Sequence, residues 1–411
     1  MTPVTSARFR KVVCWASLRR FSPVHREVLG SIGLITAAAI VGTFGWSGQV
    51  QLLPLAVLFP LVWSRAPSRG VTAMIAAAYF LAASRGLPQG VVNFYGSWEV
   101  YGYALWLMAA AGFVFVHTVC CTRRSGVGRS AGYTIASILM ILPPFGIAGW
   151  AHPLTAAGVL FPGWGWIGLL ATATGMLALT TRRWPIAAIV LGGFWVWSAA
   201  CWVPPSLPKG WAGVDTPLGQ SMGRGFDLEQ QRLLVRAVRE EAVLGARVVV
   251  LPESALGFWT PTMERFWRTG LQGSDITVLA GASVVDPDGY DNVMASINRD
   301  GGSSIYRERM PVPVSMWQPW LALMGKSGGA RAAFFANPIV DVSGSRVAIL
   351  ICYEQLITWP ILQSAFHRPE VVVAAGNGWW TAGTSIVPIQ QASAFAWASL
   401  FNIPVVFAFN S

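Results

Sequence analysis

The sequence is poor in charge, and its few acidic residues are almost all in one half of the chain. Charged residues make up 11% of the 411 residues and hydrophobic residues 54%, which excludes an ordinary soluble domain. Residues 1–203 contain two acids, Glu27 and Glu99, and 14 basic residues, whereas residues 204–411 contain 16 acids and 15 basic residues. The chain therefore divides into a basic tail (1–27), an apolar part (28–203) and a polar part (204–411).

Cysteine and histidine are also scarce, with five and four residues. Cys352 is the only cysteine of the polar part, and no His/Cys grouping has metal-site spacing, so neither a metal nor another cofactor is expected. A lone thiol has no partner for an intramolecular disulfide. The sequence lacks a glycine-rich loop followed by Lys-Ser/Thr, which excludes a P-loop ATPase. Basic residues lie between apolar segments and not along one face, so direct nucleic-acid binding is not expected.

Seven apolar segments predict a multi-pass α-helical membrane domain. They are 28–46, 50–64, 71–84, 101–121, 132–150, 156–180 and 185–203. Five of them are long enough to cross about 30 Å of hydrocarbon as helices. The segments 50–64 and 71–84 are short and have three possible interpretations: tilted helices, a re-entrant pair or one hairpin. The number of spans is therefore six or seven. A cleaved signal peptide at 28–46 is a weaker alternative, because further apolar segments follow it.

Basic residues mark alternate ends of these segments. They are Arg8, Arg10, Lys11, Arg19, Arg20 and Arg26 in the tail, then Arg65 and Arg69, then Arg123, Arg124 and Arg129, then Arg182 and Arg183. The intervening loops hold almost none. By the positive-inside rule the N-terminus is cytoplasmic and residues 204–411 are periplasmic. The sequence thus predicts a protein of the bacterial inner membrane.

Strand and helix patterns alternate in the polar part and predict an α/β domain. Helices are expected at 227–243, 354–366 and 389–400, the first with Asp227 as its N-cap. Strands are expected at 247–251, 276–285, 292–297, 304–309, 346–351, 370–375 and 404–409. Two of these apolar runs end on reactive side chains, Glu253 and Cys352. Functional groups of layered α/β domains gather at the carboxyl ends of strands, so these two residues predict a thiol site that cleaves amides or esters.

Four motifs carry a resemblance to a known family. They are Leu251-Pro252-Glu253, the segment Tyr306 to Pro313, Ile351-Cys352-Tyr353-Glu354, and Asn377-Gly378-Trp379-Trp380. In this order they resemble the nitrilase (carbon–nitrogen hydrolase) superfamily, which implies an αββα sandwich. Together with the membrane part they are similar to bacterial apolipoprotein N-acyltransferases, and further to divergent relatives encoded on conjugative plasmids. The resemblance implies a membrane lipid as acyl donor, a lipoprotein or peptide amine as acceptor, and conjugation proteins as partners.

The resemblance also assigns roles to residues. Cys352 corresponds to the nucleophile, Glu253 to the general base and Glu354 to a further required acid. Taken alone, Glu354 is equally well explained as a first-turn helix residue, and Cys352 as a buried structural cysteine. Four other side chains of these motifs are expected to contact substrate, and the tryptophans among them are expected either to line an acyl-chain groove or to anchor an interface. These residues are Tyr353, Asn377, Trp379 and Trp380.

The sequence departs from the family at several positions. The family's oxyanion-stabilising lysine corresponds to Glu308, whose carboxylate has the wrong charge, and Arg309 is the candidate substitute cation. Met316 replaces an acidic residue, and Trp397 and Leu400 replace polar helix residues. The chain is also expected to end before the family's last strands. Two hypotheses follow: an acyltransferase or amidase that acts through a Cys352 thioester, or a non-catalytic scaffold or binding component.

Overall fold

The computed structural model describes residues 23–96, 99–122, 126–221 and 227–411. Most of the predicted basic tail, together with Cys14, Arg123 and Arg124, lies outside these residues.

Helices build the first half of the chain. Their bounds are α1 Pro23–Gly45, α2 Phe59–Trp63, α3 Arg69–Ala83, α4 Leu87–Tyr95, α5 Glu99–Val119, α6 Val127–Ile141, α7 Ala157–Leu160, α8 Gly165–Leu179 and α9 Trp184–Cys201. Short 3-10 helices lie between them at Val50–Leu58, Phe145–Ala148 and Pro153–Ala156. Within the described ranges three helices are long and apolar enough to cross a membrane: His25–Gly45, Glu99–Val119 and Trp184–Cys201. A fourth span results if α3 and α4, which meet at 53°, count as one.

Two predicted spans are not continuous helices. Segment 132–150 is helical only to Ile141, because the Pro143-Pro144 pair supplies no backbone N–H to continue α6. Segment 156–180 is divided between α7 and α8, and Gly163 at the break has a φ of +79°. The segment 50–64 begins as a 3-10 helix with Pro54 inside it. Proline in two of these segments and glycine in the third therefore interrupt the long helices that hydropathy alone suggests.

Strands and helices build the second half. The strands are β1 Trp211–Gly213, β2 Val248–Val250, β3 Thr277–Asp286, β4 Gly289–Ile297, β5 Gly302–Arg307, β6 Val340–Val342, β7 Ser345–Ile351, β8 Val371–Asn377 and β9 Val405–Asn410. The helices are α10 Leu228–Val243, α11 Pro261–Gly270, α12 Trp320–Leu323, α13 Thr358–Phe366 and α14 Ile386–Leu400. Every predicted strand and helix is present, and β1, β6, α11 and α12 are additional.

The strands form two mixed sheets. One has the order β1-β2-β3-β4-β5, with β1, β2 and β3 parallel and the rest antiparallel. The other has the order β6-β7-β8-β9, with β7, β8 and β9 parallel. Local signals set the ends: Asp227 caps α10 by accepting from the backbone N–H of Glu229 and Gln230. Asp286 accepts from the N–H of Asp288 and Gly289 and forms the predicted turn between β3 and β4.

The alternation of side chains along the strands produces four layers. Val248 and Val250 of the first sheet pack with Ile349 and Ile351 of the second in a core between the sheets. The opposite face of the first sheet, which includes Val249, packs on α10 and α11. The opposite face of the second sheet packs on α13 and α14. Successive strand residues point to opposite faces, so the apolar runs are buried on both sides and form an αββα sandwich.

Helix α14 joins this sandwich to the helical half. Trp397 and Leu400 belong to a continuous apolar core that includes Leu160 of α7 and Leu350 of β7. A Cβ at Gly158 would collide with the backbone of Ala396, so α7 and α14 approach closely. The apolar residues at 397 and 400 are therefore explained by packing against the helical half.

Candidate active site

Glu253 and Cys352 meet between the two sheets. Glu253 follows β2 of the first sheet, and Cys352 follows β7 of the second. Both residues are buried and line one cavity, where interaction with the thiol lowers the pKa of Glu253 and the carboxylate raises the pKa of Cys352. The structure thus brings together the two residues that the sequence singled out a hundred positions apart.

The backbone turns sharply at the cysteine. Cys352 has a φ of +43°, in the left-handed region, which costs a non-glycine residue about 1–2 kcal/mol. Gln390 of α14 holds this turn by donating to the Cys352 carbonyl at 3.1 Å, and its Nε2 lies 3.7 Å from Sγ. The strained turn presents the thiol at the edge of the sheet.

Glu253 is held by polar partners on two sides. The Asn292 side chain donates from Nδ2 to Oε1 at 2.8 Å, and the Asn377 backbone N–H donates to Oε2 at 3.1 Å. Burial raises the pKa of Glu253, and these donors and the thiol oppose that rise. A carboxyl with a raised pKa and a thiol partner is suited to accept a proton from sulfur.

The surroundings of Cys352 favour its protonated thiol. Its pKa is raised well above the ordinary value, first by burial and then by the charges of Glu253 and Glu308. The thiolate is the reactive form, so the thiol becomes a nucleophile only as its proton passes to Glu253.

Glu308, at the family's lysine position, also lies in this site. It is buried, and its Oε2 accepts from Asn292 Nδ2 at 2.8 Å. Burial, followed by the charges of Glu253 and Glu354, raises its pKa well above the usual range. This shift favours the neutral acid over the charged carboxylate, because a second anion is disfavoured in a buried site.

Glu354 lies behind the nucleophile and organises its surroundings. Its carboxylate accepts from the Tyr306 hydroxyl at 2.7 and 2.8 Å and from the backbone N–H of Arg309 and Ile351, each at 2.7 Å. These contacts join the segment after β5 to the turn that carries Cys352. Glu354 thus contacts the backbone on both sides of the site, and its required role in catalysis stays a prediction.

Arg309 is not placed as an oxyanion partner. The guanidinium is fully buried and forms an ion pair with Glu354 at 3.5 Å. Its nitrogens also donate to the Tyr306 hydroxyl at 3.0 Å, the Pro360 carbonyl at 2.9 Å and the Ile349 carbonyl at 3.2 Å. These partners engage all three nitrogens, so Arg309 supports the structure around Glu354, and the substitute-cation interpretation stays a prediction.

A cavity of about 640 Å³ opens in front of the thiol. Its lining is mostly apolar and comes from both halves of the chain, with Leu87 and Val91 of α4 and Met108 of α5 opposite Glu253 and Cys352. All four expected substrate contacts, Tyr353, Asn377, Trp379 and Trp380, line it. The helical half therefore completes the site.

These four side chains also have structural contacts. The Tyr353 hydroxyl donates to the Ile147 carbonyl at 2.6 Å, and Trp379 stacks on Phe94 with 5.6 Å between ring centroids. Trp380 donates to the Asn377 carbonyl at 3.1 Å. The tryptophans thus anchor the interface between the two halves and line the cavity at the same time.

Sequence reasoning missed Asn292 and Gln390 as site residues. Asn292 is the polar residue at the start of the apolar run Val293-Met-Ala-Ser-Ile297, and it is buried. Gln390 is a buried amide in the otherwise apolar helix α14. A polar side chain on the inward face of an apolar element needs a buried partner, and that signal was available.

Comparison with known proteins agrees with the fold and the residue pattern. Residues 81–399 match a protein-family model described as carbon-nitrogen hydrolase. The conjugal transfer protein TraB of Agrobacterium fabrum strain C58 is 56% identical over 99% of both chains. The probable conjugal transfer protein TraB of Sinorhizobium fredii strain NGR234 is 57% identical over 94% of this chain and 100% of its own. Among solved structures, an amidase from Nesterenkonia sp. matches with 14% identity and a TM-score of 0.37, over 50% of this chain and 78% of the amidase.

Proposed function

Because the chain belongs to the carbon–nitrogen hydrolase family and to the family of TraB conjugal transfer proteins, we propose that it is a thiol acyltransferase or amidase of plasmid conjugation. The observation that carries this proposal is the buried pair of Cys352 and Glu253, which line the same cavity from two different sheets. A nucleophile, a base within hydrogen-bond reach and a third group that orients the base are the parts of a covalent catalyst. Asn377 and Asn292 orient Glu253 here.

The reaction proceeds in two steps that balance in protons. Cys352 transfers its proton to Glu253, and the sulfur attacks the acyl carbon of the donor. The tetrahedral intermediate collapses to a thioester as Glu253 returns the proton to the leaving group. An amine or water then gives a proton to Glu253, attacks the thioester and restores the thiol, which takes the proton back.

A membrane lipid is the acyl donor that the cavity favours. The cavity combines an apolar lining from α3, α4 and α5 with the thiol at one side, and a lipid acyl chain needs such a lining. Large apolar side chains of α5, such as Leu107, Phe115 and Val119, are exposed and would contact lipid. The acceptor in this proposal is an amine of a lipoprotein or peptide.

The proposed location is the bacterial inner membrane, with the N-terminus in the cytoplasm and residues 204–411 in the periplasm. Three helices of sufficient length and the alternation of basic loops support this arrangement. The proposed partners are other proteins of the conjugation machinery.

Intact-protein mass spectrometry tests the enzyme. Detergent-purified protein is incubated with phospholipid, and the wild type is compared with Cys352→Ala and with Cys201→Ala, a variant of an exposed thiol. We expect a hydroxylamine-sensitive acyl adduct on the wild type and on Cys201→Ala, and none on Cys352→Ala. No adduct on folded wild-type protein would contradict the proposal.

A non-catalytic binding component is the second candidate. The observation that favours it is Glu308 at the position of the family's lysine, together with surroundings that favour the protonated thiol of Cys352. In that case the cavity binds an acylated partner, and Cys352→Ala leaves conjugation frequency unchanged.

A further inference from the structure

A second cavity lies between α10 and α11, on the outer layer of the first sheet. It is an open groove of about 490 Å³. Val235 is buried and Phe266 half-buried, so these two side chains form an apolar floor. Three exposed arginines also line the groove, Arg232 and Arg239 from α10 and Arg265 from α11. No acidic residue is among the described residues of its lining, so the groove combines an apolar floor with positive charge from both helices.

The fold itself makes little use of these three arginines. Among the described residues none of them forms an ion pair, and the side chains of Arg232 and Arg265 have no hydrogen-bond partner there. Arg239 is held in place, because its Nε donates to the Gly270 carbonyl at 2.8 Å and its Nη2 to the Gln272 carbonyl at 3.3 Å. A guanidinium without an internal anion can bind a carboxylate through two parallel hydrogen bonds.

The spacing of the arginines on α10 fits an extended chain. Arg232 and Arg239 are seven residues apart, which is close to two turns and about 10.5 Å along one face of the helix. A polyproline II chain brings every third side chain to the same side, about 9.3 Å apart. Two acidic residues three positions apart therefore match these two arginines, and an apolar residue between them can contact Phe266.

We propose that this groove binds an acidic, extended segment of a partner protein. A lipid headgroup does not fit, because both sheets separate α10 and α11 from the helical half, which packs on the side of α13 and α14. A long nucleic acid does not fit either, because residues 204–411 contain 16 acids and 15 basic residues and have no net positive charge to attract a phosphate backbone. Binding in the groove is independent of the proposed thiol chemistry.

Fluorescence anisotropy with the full-length protein in detergent tests this binding. The probe is a fluorescein-labelled peptide, Gly-Ser-Glu-Leu-Pro-Glu-Ser-Gly, whose two glutamates are three positions apart. The comparison peptide has glutamine at both of these positions. We expect saturable binding of the acidic peptide that weakens with added salt, and at least about tenfold weaker binding of the comparison peptide. If the acidic peptide shows no saturable binding up to about 1 mM, the proposal is overturned.

Variants of single arginines locate the binding. Arg232→Gln and Arg265→Gln remove charges that the fold does not use, so both should fold like the wild type and bind the acidic peptide at least about tenfold more weakly. Arg265→Lys keeps the charge but loses the planar fork, and its affinity should lie between those of the wild type and Arg265→Gln. Arg236→Gln is the matched control, because Arg236 is an exposed arginine of α10 outside the groove lining. An equal loss of affinity in Arg236→Gln and Arg232→Gln would show attraction by overall charge and would refute a specific groove.

Three further measurements separate other uses of the groove. If light scattering finds a wild-type dimer that Arg232→Gln dissociates, a second copy of the chain occupies the groove and the partner segment is wrong. If fluorescein-labelled oligothymidylate binds more tightly than the acidic peptide and Arg265→Gln removes that binding, the groove is a nucleic-acid surface. Acylation of Cys352 by p-nitrophenyl octanoate, followed by the released p-nitrophenolate, should be unchanged in both variants, because the two cavities share no lining residue among those described. A slower acylation would contradict the independence of the groove from the thiol site.

Discussion

The ion pair of Arg309 and Glu354 provides a prediction that separates a structural role from a catalytic one. Both side chains are fully buried. Arg309→Met removes the charge that neutralises Glu354 and leaves the carbonyls of Pro360 and Ile349 without their donors. Breaking a buried pair on one side costs about 3–5 kcal/mol, and we expect a loss of that size in the free energy of unfolding.

The opposite change should be about as harmful. Glu354→Gln removes the charge that neutralises the Arg309 guanidinium. In the wild type the backbone N–H groups of Arg309 and Ile351 both donate to the Glu354 carboxylate. In the variant the amide group of Gln would turn an N–H toward one of these two donors. The double variant removes both charges together, so its cost should be smaller than the two single costs combined, by about 0.5–3 kcal/mol.

Urea unfolding in detergent measures these changes in the free energy of unfolding, with the resistance of the α/β domain to trypsin as the readout at each urea concentration. Arg346→Met is the matched control, because Arg346 pairs with Glu370 at 3.6 Å while both side chains are about half exposed. An exposed pair contributes about 0–1 kcal/mol, and the control should unfold near the wild-type midpoint.

Two results would refute this reasoning. If Arg309→Met unfolds no more easily than Arg346→Met, the buried pair does not stabilise the domain. The other result is an Arg309→Met variant that remains stable but loses about 100-fold in acylation of Cys352 by p-nitrophenyl octanoate. That second result would restore Arg309 as the oxyanion cation.

Two further predictions concern the carboxyl groups of the site. The folded pKa of Glu308 lies above its ordinary value of 4.5. Above about pH 4.5 the native state therefore binds more protons than the unfolded chain, and the free energy of unfolding falls as pH rises. Urea midpoints measured from about pH 5 to about pH 8 should fall less steeply in Glu308→Gln than in the wild type, and an unchanged slope would contradict the raised pKa of Glu308. A Cβ at Gly281 would lie 2.5 Å from the Glu253 Cα and from the Ser254 nitrogen, so Gly281→Ala should cost about 1–3 kcal/mol in stability and suppress acylation of Cys352. Gly301→Ala is the control, because a Cβ at Gly301 would have its nearest neighbour 3.9 Å away. Equal acylation by the two variants would show that the close contact at Gly281 does not hold the loop that carries Glu253.

Much of the α/β half could be predicted from local patterns. Apolar runs of β-branched residues end at Glu253 and Cys352, and they correspond to β2 and β7. Asp227 and the Asp286–Gly289 turn act through neighbours two or three residues away. Short-range hydrogen bonds and strand periodicity depend on adjacent residues, so the sequence alone contains this information. The helical half was less predictable, because hydropathy detects apolar length but not the Pro143-Pro144 pair after α6 or the break at Gly163 between α7 and α8.

The sequence by itself determined the order of elements in the α/β half, the division of charge between the halves and the two reactive residues, Glu253 and Cys352, that end apolar strands. Only the tertiary structure decided what each nearby charge does. Glu308 and Arg309 are adjacent in the chain, yet one faces Asn292 and Glu253 while the other pairs with Glu354. The cavity likewise depends on residues of α4 and α5 that lie opposite Glu253 and Cys352 and are distant from them in the sequence. The physical reason is that burial and long-range partners, which no local pattern encodes, set the protonation and the direction of a charged side chain.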